Sequence, residues 1–399
     1  MSDTIKRLTI EGFKSIRKLE DFELRPLNVL IGANGAGKSN FVEFFRLLRE
    51  LIDQKLQLAI AKAGGADVCL YLGRRVTKEL VARLYFGQNG YEFALVPTAD
   101  NRLIFADESP VFFGNSGRNP VRLGSGHVEA KLGDRRDDPG TWGAKYGVPH
   151  YVYEAVSSWI IYHFHDTSGE AGVRLQKALN DNEFLRPDAE NLAAFLYRIQ
   201  QTHPDVYARI RDVVRLAASF FDDFKLRAVA DKPELIQLEW LQRGSDYPFR
   251  PSQLSDGTLR FICLATALLQ PSPPSTMLFD EPELGLHPYA LVLLANLFQQ
   301  AAQLGRQVIV STQSAQLLNE FDPEDIIVVE RTQGESVFRR LDSKELSGWL
   351  EDYTLGDLWQ KNVLGGRPRN EEMPLFSDGD GEVSAATKKE ESSAGDERS

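Results

Sequence analysis

The run Gly32-Ala33-Asn34-Gly35-Ala36-Gly37-Lys38-Ser39 fits the spacing GxxxxGK[ST]. Glycines let a backbone curl around phosphates with its amides pointing inward, Lys38 can neutralise charge on the terminal phosphates, and the Ser39 hydroxyl can ligate magnesium. The candidate nucleotide contacts are Asn34, Gly35, Ala36, Gly37, Lys38, Ser39 and Asn40, with ATP and Mg2+ as the implied ligands. A second stretch, TMLFDEPELGLHP (Thr276 to Pro288), is an apolar strand ending in two acids. There Asp280 can join Ser39 around magnesium, and Glu281 can polarise an attacking water. Two acids after a strand are by themselves a common helix cap; a P-loop in the same chain reverses that preference. Between the two lies QLSDGTLRF (Gln253 to Phe261), in which Ser255 and Gly257 stand at the head of a helix over Thr258 to Leu269. A hydroxyl, free amides and a helix N-terminus make an anion site. One nucleotide needs one phosphate cradle, so a second cradle makes sense if it grips the nucleotide of another copy.

The elements that must position these groups are readable from periodicity. Asn28 to Ile31 forms an apolar strand into the glycine loop, and FVEFFRLLRELI after Asn40 repeats at helical spacing, the order a P-loop requires. Strands are expected at Ile5 to Ile10 and Phe22 to Leu24, flanking a turn at GFKS. Antiparallel hairpins are expected from about Gly64 to Ala106, and a long surface loop of mobile-segment composition over Phe113 to Pro149. Helical spacing covers Leu192 to Gln201 and Val206 to Phe221; a strand follows over Leu235 to Leu241, and then MLFD, a helix over Pro288 to Leu304, VIVS and IIVVE. The expected units are an N-terminal ATPase lobe with β-hairpins (1–168), a helical insertion (169–234), a C-terminal ATPase lobe (235–340), a helical extension (341–370) and a disordered acidic tail (371–399).

Composition narrows the class. Across 399 residues, 42% are hydrophobic and 26% charged, with a net charge of -11, which suits a soluble protein and opposes a uniformly basic nucleic-acid surface. No apolar run approaches the roughly 20 residues of a membrane span, and MSDTIKRLTI lacks the apolar core of an export signal; the expected location is the cytoplasm. Cys69 and Cys263 lack partners at zinc or CxxC spacing and read as buried thiols. From Glu371 onward nine acids face only Lys388, Lys389 and Arg398. His163 and His165 in YHFHDTS could face a metal or nucleotide, with a structural role favoured. The basic pairs Arg74–Arg75 and Arg135–Arg136 could touch DNA, with solvated surface favoured.

LIGANGAGKSN, LSDGT and DEPELGLHP, in that order, resemble the ABC-type ATPase head of SMC, RecF and OLD-family proteins. The opening LTIEGFKSI and the Asn after the loop serine are similar to that group, whereas transporter heads more often carry Thr there. The chain looks closest to AAA-labelled ATPases of the OLD-like group, several of which are encoded beside an effector in bacterial anti-phage systems. The resemblance implies an α/β ABC-type P-loop ATPase head: a mixed sheet plus an antiparallel β lobe, with a helical insertion. It further implies that Ser255 and Gly257 contact the terminal phosphate in trans when two heads sandwich ATP, that Asp280 holds magnesium, and that Glu281 is the base. Leu284 to His287 would lie on the loop that communicates across the dimer. In the switch position, where the family often has His, stands Gln313, which can donate a hydrogen bond but cannot take up a proton; slow hydrolysis is the consequence. The glutamine expected between the P-loop and LSDGT cannot be assigned. The implied partners are a second copy, in a dimer or a larger assembly, and a separately encoded effector such as a nuclease or toxin. DNA stays open as a partner and a membrane does not. After Glu330 too few residues are expected to fold for a TOPRIM nuclease domain. The alternatives are a RecF/SMC-like DNA-repair ATPase and an ATP-gated scaffold with little hydrolysis.

Overall fold

The computed structural model describes residues 4–115, 117–140 and 144–366. The acidic tail expected over 371–399 therefore lies outside the described residues. The chain opens with β1 (Ile5–Phe13) and β2 (Ile16–Glu23), an antiparallel hairpin in which Phe13 faces Ile16. Both strands are longer than the periodicity suggests, and the turn is only Lys14 and Ser15. Gly12 stays inside β1 with φ 76, where an added Cβ would lie 2.5 Å from the Glu79 carbonyl oxygen, so only glycine fits.

From β3 (Leu27–Ile31) the chain enters α1 (Lys38–Ile52) and three short helices, α2 (Leu56–Ala63), α3 (Ala66–Cys69) and α4 (Gly73–Val76). The hairpins expected from Gly64 begin only at β4 (Leu80–Phe86) and continue through β5 (Asn89–Pro97), β6 (Leu103–Gly114) and β7 (Gly117–Pro120). Gly64 and Gly65 close α2 with φ values of 100 and 98, as a helix C-terminus commonly requires. These strands make one antiparallel sheet in the order β2-β1-β4-β5-β6-β7.

The long connection after β7 is stitched down rather than free. Glu108 on β6 is fully buried and accepts from the Tyr91 hydroxyl at 2.8 Å, His127 Nε2 at 2.7 Å, and the amides of Lys131 and Leu132 at 2.9 and 3.1 Å. Glu129 accepts from the Leu56 and Gln57 amides at the head of α2, at 2.7 and 3.0 Å. The loop expected over Phe113 to Pro149 is thus shortened, by the end of β6 and β7 at one side and the start of α5 (Val148–Ser157) at the other; its anchoring depends on a buried carboxylate from another strand.

Next come α5 (Val148–Ser157), β8 (Trp159–Tyr162), β9 (Lys177–Ala178), α6 (Leu192–Thr202) and α7 (Pro204–Ala217). They lead to β10 (Phe221–Lys225), β11 (Ala228–Val229), β12 (Lys232–Ile236), β13 (Glu239–Gln242) and β14 (Pro248–Phe249). The segment expected as a helical insertion thus holds two helices and short strands around them. The helical spacing read through Phe221 overruns α7, because Phe221 and Phe224 are the buried positions of β10. The last part runs α8 (Asp256–Leu269), β15 (Thr276–Asp280), α9 (Pro288–Gln303), β16 (Gln307–Thr312), α10 (Ala315–Leu318), β17 (Ile326–Thr332), β18 (Glu335–Arg340), α11 (Ser343–Leu350) and α12 (Leu355–Gln360).

The second large sheet has the order β18-β17-β3-β16-β15-β8, parallel from β17 to β8 with β18 antiparallel at its edge. Its central strands are buried on both faces, which is why they read as unbroken apolar runs. Alternation divides them between two cores. Val29, Phe279 and Val310 face the layer containing α8 and α9, while Leu30, Leu278 and Ile309 face α1 and the antiparallel lobe. α1 is apolar over most of its circumference, burying Phe41, Phe44, Phe45, Leu48 and Leu51, because it is wedged between that sheet and the lobe. Each such side chain contributes about 1.5–3 kcal/mol on burial, and together they fix the helix whose first turn carries Lys38 and Ser39.

Candidate functional site

The candidate residues gather at the carboxyl ends of β3, β16 and β15, where open α/β sheets bind ligands. Gly35 and Gly37 take φ values of 79 and 115. Around Gly35 the space is open, so its conformation alone calls for glycine; at Gly37 a Cβ would overlap Ser336 Oγ. Lys38 is buried, and its Nζ donates to the carbonyls of Gly32 at 2.6 Å and Ala33 at 3.1 Å. Burial lowers its pKa, opposed by the nearby charges of Glu281, Asp280 and Glu283. Ser39 is exposed at the start of α1. Asn40 turns its side chain to the β1–β2 turn, donating to Ser15 Oγ at 2.6 Å.

Support for this loop also comes from residues that no motif marks. Ser336 on β18 donates to the Ala36 carbonyl at 2.6 Å and sits 2.7 Å from Ser15 Oγ. Beyond α12, Gly366 accepts from the Ala33 amide at 2.8 Å and donates to Glu330 Oε1 at 2.8 Å. The expected C-terminal extension (341–370) thus meets the P-loop at Gly366, the last described residue.

Asp280 closes β15, and its Oδ1 is buried with no hydrogen-bond partner. A carboxylate oxygen orphaned beside a P-loop suits Mg2+, which takes one or two protein oxygens and completes its shell with water and phosphates. Ser39 and Asp280 are the residues that would hold it. Among the described residues no group of three or more His, Cys, Asp or Glu could hold a metal by itself, which leaves His163 and His165 without a metal-site reading. His163 is held below its ordinary pKa by burial and donates its backbone amide to Pro187 at 3.0 Å.

Glu281 follows with φ 42, a left-handed conformation that stores about 1–3 kcal/mol in a non-glycine residue. Its amide donates to the Ser311 carbonyl at 2.7 Å, and the side-chain amide of Gln313 donates to its Oε1. The structure thus brings Glu281 and Gln313 together. A third acid, Glu283, accepts through Oε1 from the Thr312 hydroxyl at 2.6 Å and the Gln313 amide at 2.9 Å. Burial raises its pKa, opposed by those hydrogen bonds.

The second cradle is built differently. Ser255 caps α8, its Oγ accepting from the Thr258 amide at 3.1 Å. At Gly257 a Cβ would overlap the Gly285 carbonyl oxygen, so the glycine serves a backbone contact with the loop after β15. Ser255, Gly257, Thr258, Gly285 and His287 border a hollow of about 100 Å³. Two buried arginines hold this turn from behind. Arg174 donates to the Thr167 carbonyl at 2.8 Å, to the Pro251 carbonyl, and to Asp256 Oδ1 at 2.7 Å. Arg260 donates to the carbonyls of Phe164 at 2.8 Å, His165 at 3.0 Å and Leu284, and burial lowers its pKa. Together they tie the turn to the segment leaving β8 and to the loop leaving β15. Sequence inspection missed both because an isolated Arg in a helix or a 3-10 turn carries no spacing signal.

Three of the four arginines in the basic pairs have acidic partners: Arg74 meets Asp67 at 3.4 Å, Arg135 meets Asp138, and Arg136 meets Asp137 at 3.5 Å. Cys69 and Cys263 are buried free thiols. No helix among the described residues is long and apolar enough to cross a membrane.

A mixed sheet with a P-loop after β3, an Asp-Glu pair at the end of β15 and a capped helix carrying SDGT is the fold of an ABC/SMC-type P-loop ATPase head. Comparison with known proteins agrees. Residues 144–319 match the family described as "AAA domain, putative AbiEii toxin, Type IV TA system", and residues 7–48 match an AAA domain family. The "Putative ABC transporter ATP-binding protein" of Methanosarcina acetivorans is 27% identical over 155 residues, 38% of this chain and 53% of that protein. The match thus spans about half the length of that curated relative. Among solved structures, the Smc head bound to the C-winged helix domain of ScpA is similar with a TM-score of 0.57 at 15% identity, covering 86% of this chain and 99% of that one. The Smc head with an extended coiled coil from Pyrococcus furiosus, bound to the C-terminal domain of ScpA, has a TM-score of 0.52 at 15% identity, covering 87% of this chain and 98% of that one. At such identity the likeness is one of fold.

Proposed function

We propose that the protein binds Mg-ATP on Asn34 to Asn40, dimerises when Ser255 and Gly257 grip the partner's nucleotide, and hydrolyses ATP slowly with Glu281 as base. The observation that carries this reading is the grouping of buried Lys38, the orphaned Asp280 Oδ1 and the Gln313–Glu281 contact at the carboxyl ends of β3, β15 and β16. Magnesium held by Ser39 and Asp280 would supply positive charge to the terminal phosphates. Glu281 orients and deprotonates the water, Gln313 fixes the Glu281 carboxylate, and Lys38 leaves the Gly32 and Ala33 carbonyls for phosphate oxygens. Phosphate contacts split between two chains make assembly depend on nucleotide, and hydrolysis dissolves the bridge. We assign the output to a separately encoded effector such as a nuclease or toxin, in bacterial anti-phage defence and in the cytoplasm; the AbiEii description of the family matched over 144–319 supports that role.

A RecF/SMC-like DNA-maintenance role is the second reading, favoured by the fold likeness to Smc heads. The local neutralisation of Arg74, Arg135 and Arg136 weighs against a broad duplex-binding face. The scaffold reading rests on Gln313, which cannot relay a proton. Light scattering of wild type and Glu281→Gln with and without Mg-ATP, with phosphate release in parallel, separates these readings. A mutant locked as a dimer or larger assembly, with phosphate released only by wild type, is expected. Assembly that ignores ATP overturns the switch, and tight ATP-dependent duplex binding moves the role to DNA. A wild type without turnover leaves the scaffold.

A further inference from the structure

We infer that Glu283 is a positioning residue for hydrolysis, acting on Glu281 through Gln313; the inference rests on the ATPase reading above. Its Oε1 bridges the Thr312 hydroxyl and the Gln313 amide, pinning the end of β16 to the loop that leaves β15. The residue it holds by the backbone in turn holds Glu281 by the side chain. Glu281 needs such a restraint, since its own backbone lies in the left-handed region at φ 42, tied by its amide to the Ser311 carbonyl at 2.7 Å and by a long bond of 3.4 Å from the Leu284 amide to its carbonyl. A conformation of that kind persists when its surroundings over-determine it. The second carboxylate oxygen, Oε2, is buried with no hydrogen-bond partner. Capping two donors needs only one acceptor oxygen, and an amide would supply it. The working atom of Glu283 is thus Oε1, and a glutamine can replace it.

The test is a double-mutant cycle on full-length protein: wild type, Glu283→Ala, Gln313→Ala and the double variant, with Glu283→Gln and Glu281→Gln alongside. Glu283→Ala is expected to lower kcat about 30-fold with KM within about threefold, the signature of lost transition-state geometry. Glu283→Gln should stay within about fivefold of wild type. On the Gln313→Ala background the same alanine change should lose less than about threefold more, because residues that act as a unit are not additive. Affinity for a fluorescent ATP analogue, read without turnover, should not change between wild type and Glu283→Ala by more than about twofold. If the alanine variant fails to melt cooperatively, Glu283→Met fills the space without an acceptor and takes its place. Fully additive losses, a glutamine variant as poor as the alanine one, or a weakened analogue affinity each overturn the inference. If wild type does not turn over, the ATPase reading itself has failed, and if Glu281→Gln turns over like wild type, Glu281 is not its base; if wild type turns over, Glu281→Gln is dead and the cycle is additive, only the role of Glu283 has failed.

Discussion

The P-loop and the SDGT turn both offer backbone amides and a helix N-terminus to an anion, yet they are stabilised in unlike ways. In the P-loop the glycines are conformational: Gly35 and Gly37 sit at φ 79 and 115 inside a short strand–loop–helix. Its lysine is buried and already bonded to the loop's own carbonyls. In the SDGT turn Gly257 is a contact glycine, pressed on the Gly285 carbonyl, and Ser255 is an N-cap. What holds that turn comes from far along the chain, through Arg174 and Arg260. A cradle whose glycines and lysine lie in one strand–loop–helix, braced from outside by Ser336 and Gly366, can bind a nucleotide alone. One suspended from buried arginines moves with the loops after β8 and β15, so it is suited to report what the other site contains.

The largest expected effects separate binding from chemistry in the first cradle. Lys38→Ala should weaken ATP binding about 100-fold or more, through loss of a buried charge aimed at phosphate; an analogue titration reads it. Glu281→Gln should leave that titration unchanged and lower phosphate release about 100-fold or more. Equal damage to both quantities by both variants would show that the cradle and the hydrolytic pair are not separable.

The second cradle is broken by shape. Gly257→Ala drives a methyl into the Gly285 carbonyl and should abolish the ATP-dependent mass increase. Monomer affinity for ATP should change less than about threefold, since the two sites share no residue. A similar loss of affinity would mean that the turn belongs to the nucleotide site of its own chain.

Removing the support is the next step down. Arg174→Ala strands the Thr167 and Pro251 carbonyls together with Asp256, at a stability cost of about 2–4 kcal/mol; urea unfolding measures it. Asp256→Asn removes only a partner whose side chain is 66% exposed, and should cost less than about 1 kcal/mol. Any assembly defect in Arg174→Ala that Arg174→Lys fails to repair then reflects the planar fork, which touches several carbonyls at once.

The same contrast explains what the sequence could and could not reveal. The P-loop, the strand ending in Asp280 and the cap at Ser255 are local patterns of residue type and spacing, so they are legible. The two-core division of the parallel sheet is implicit in strands that read as continuous apolar runs. The hairpins expected from Gly64 start only at Leu80 because short apolar runs suit a strand and a buried helical turn alike, and only packing chooses between them. Arg174, Glu283, Ser336 and Gly366 were invisible for another reason. Each acts on a residue distant in the chain or, for Glu283, on a neighbouring strand, and a lone Arg, Glu, Ser or Gly has no period.

The smallest expected effects give the finest discrimination, because they replace one hydroxyl in each cradle. Ser336 is buried and donates to the Ala36 carbonyl while touching Ser15. Ser336→Ala should cost about 1 kcal/mol and weaken ATP affinity two- to fivefold, with assembly restored at higher ATP. Ser255→Ala loses an N-cap of similar worth, about 1 kcal/mol, yet should leave monomer affinity alone and weaken assembly even at saturating ATP. Titrating ATP while recording both analogue binding and mass therefore crosses the two variants: one shifts the concentration axis and the other lowers the plateau. If both variants only shift the axis, the SDGT turn senses nucleotide within its own chain, and the division of labour between the two cradles is wrong.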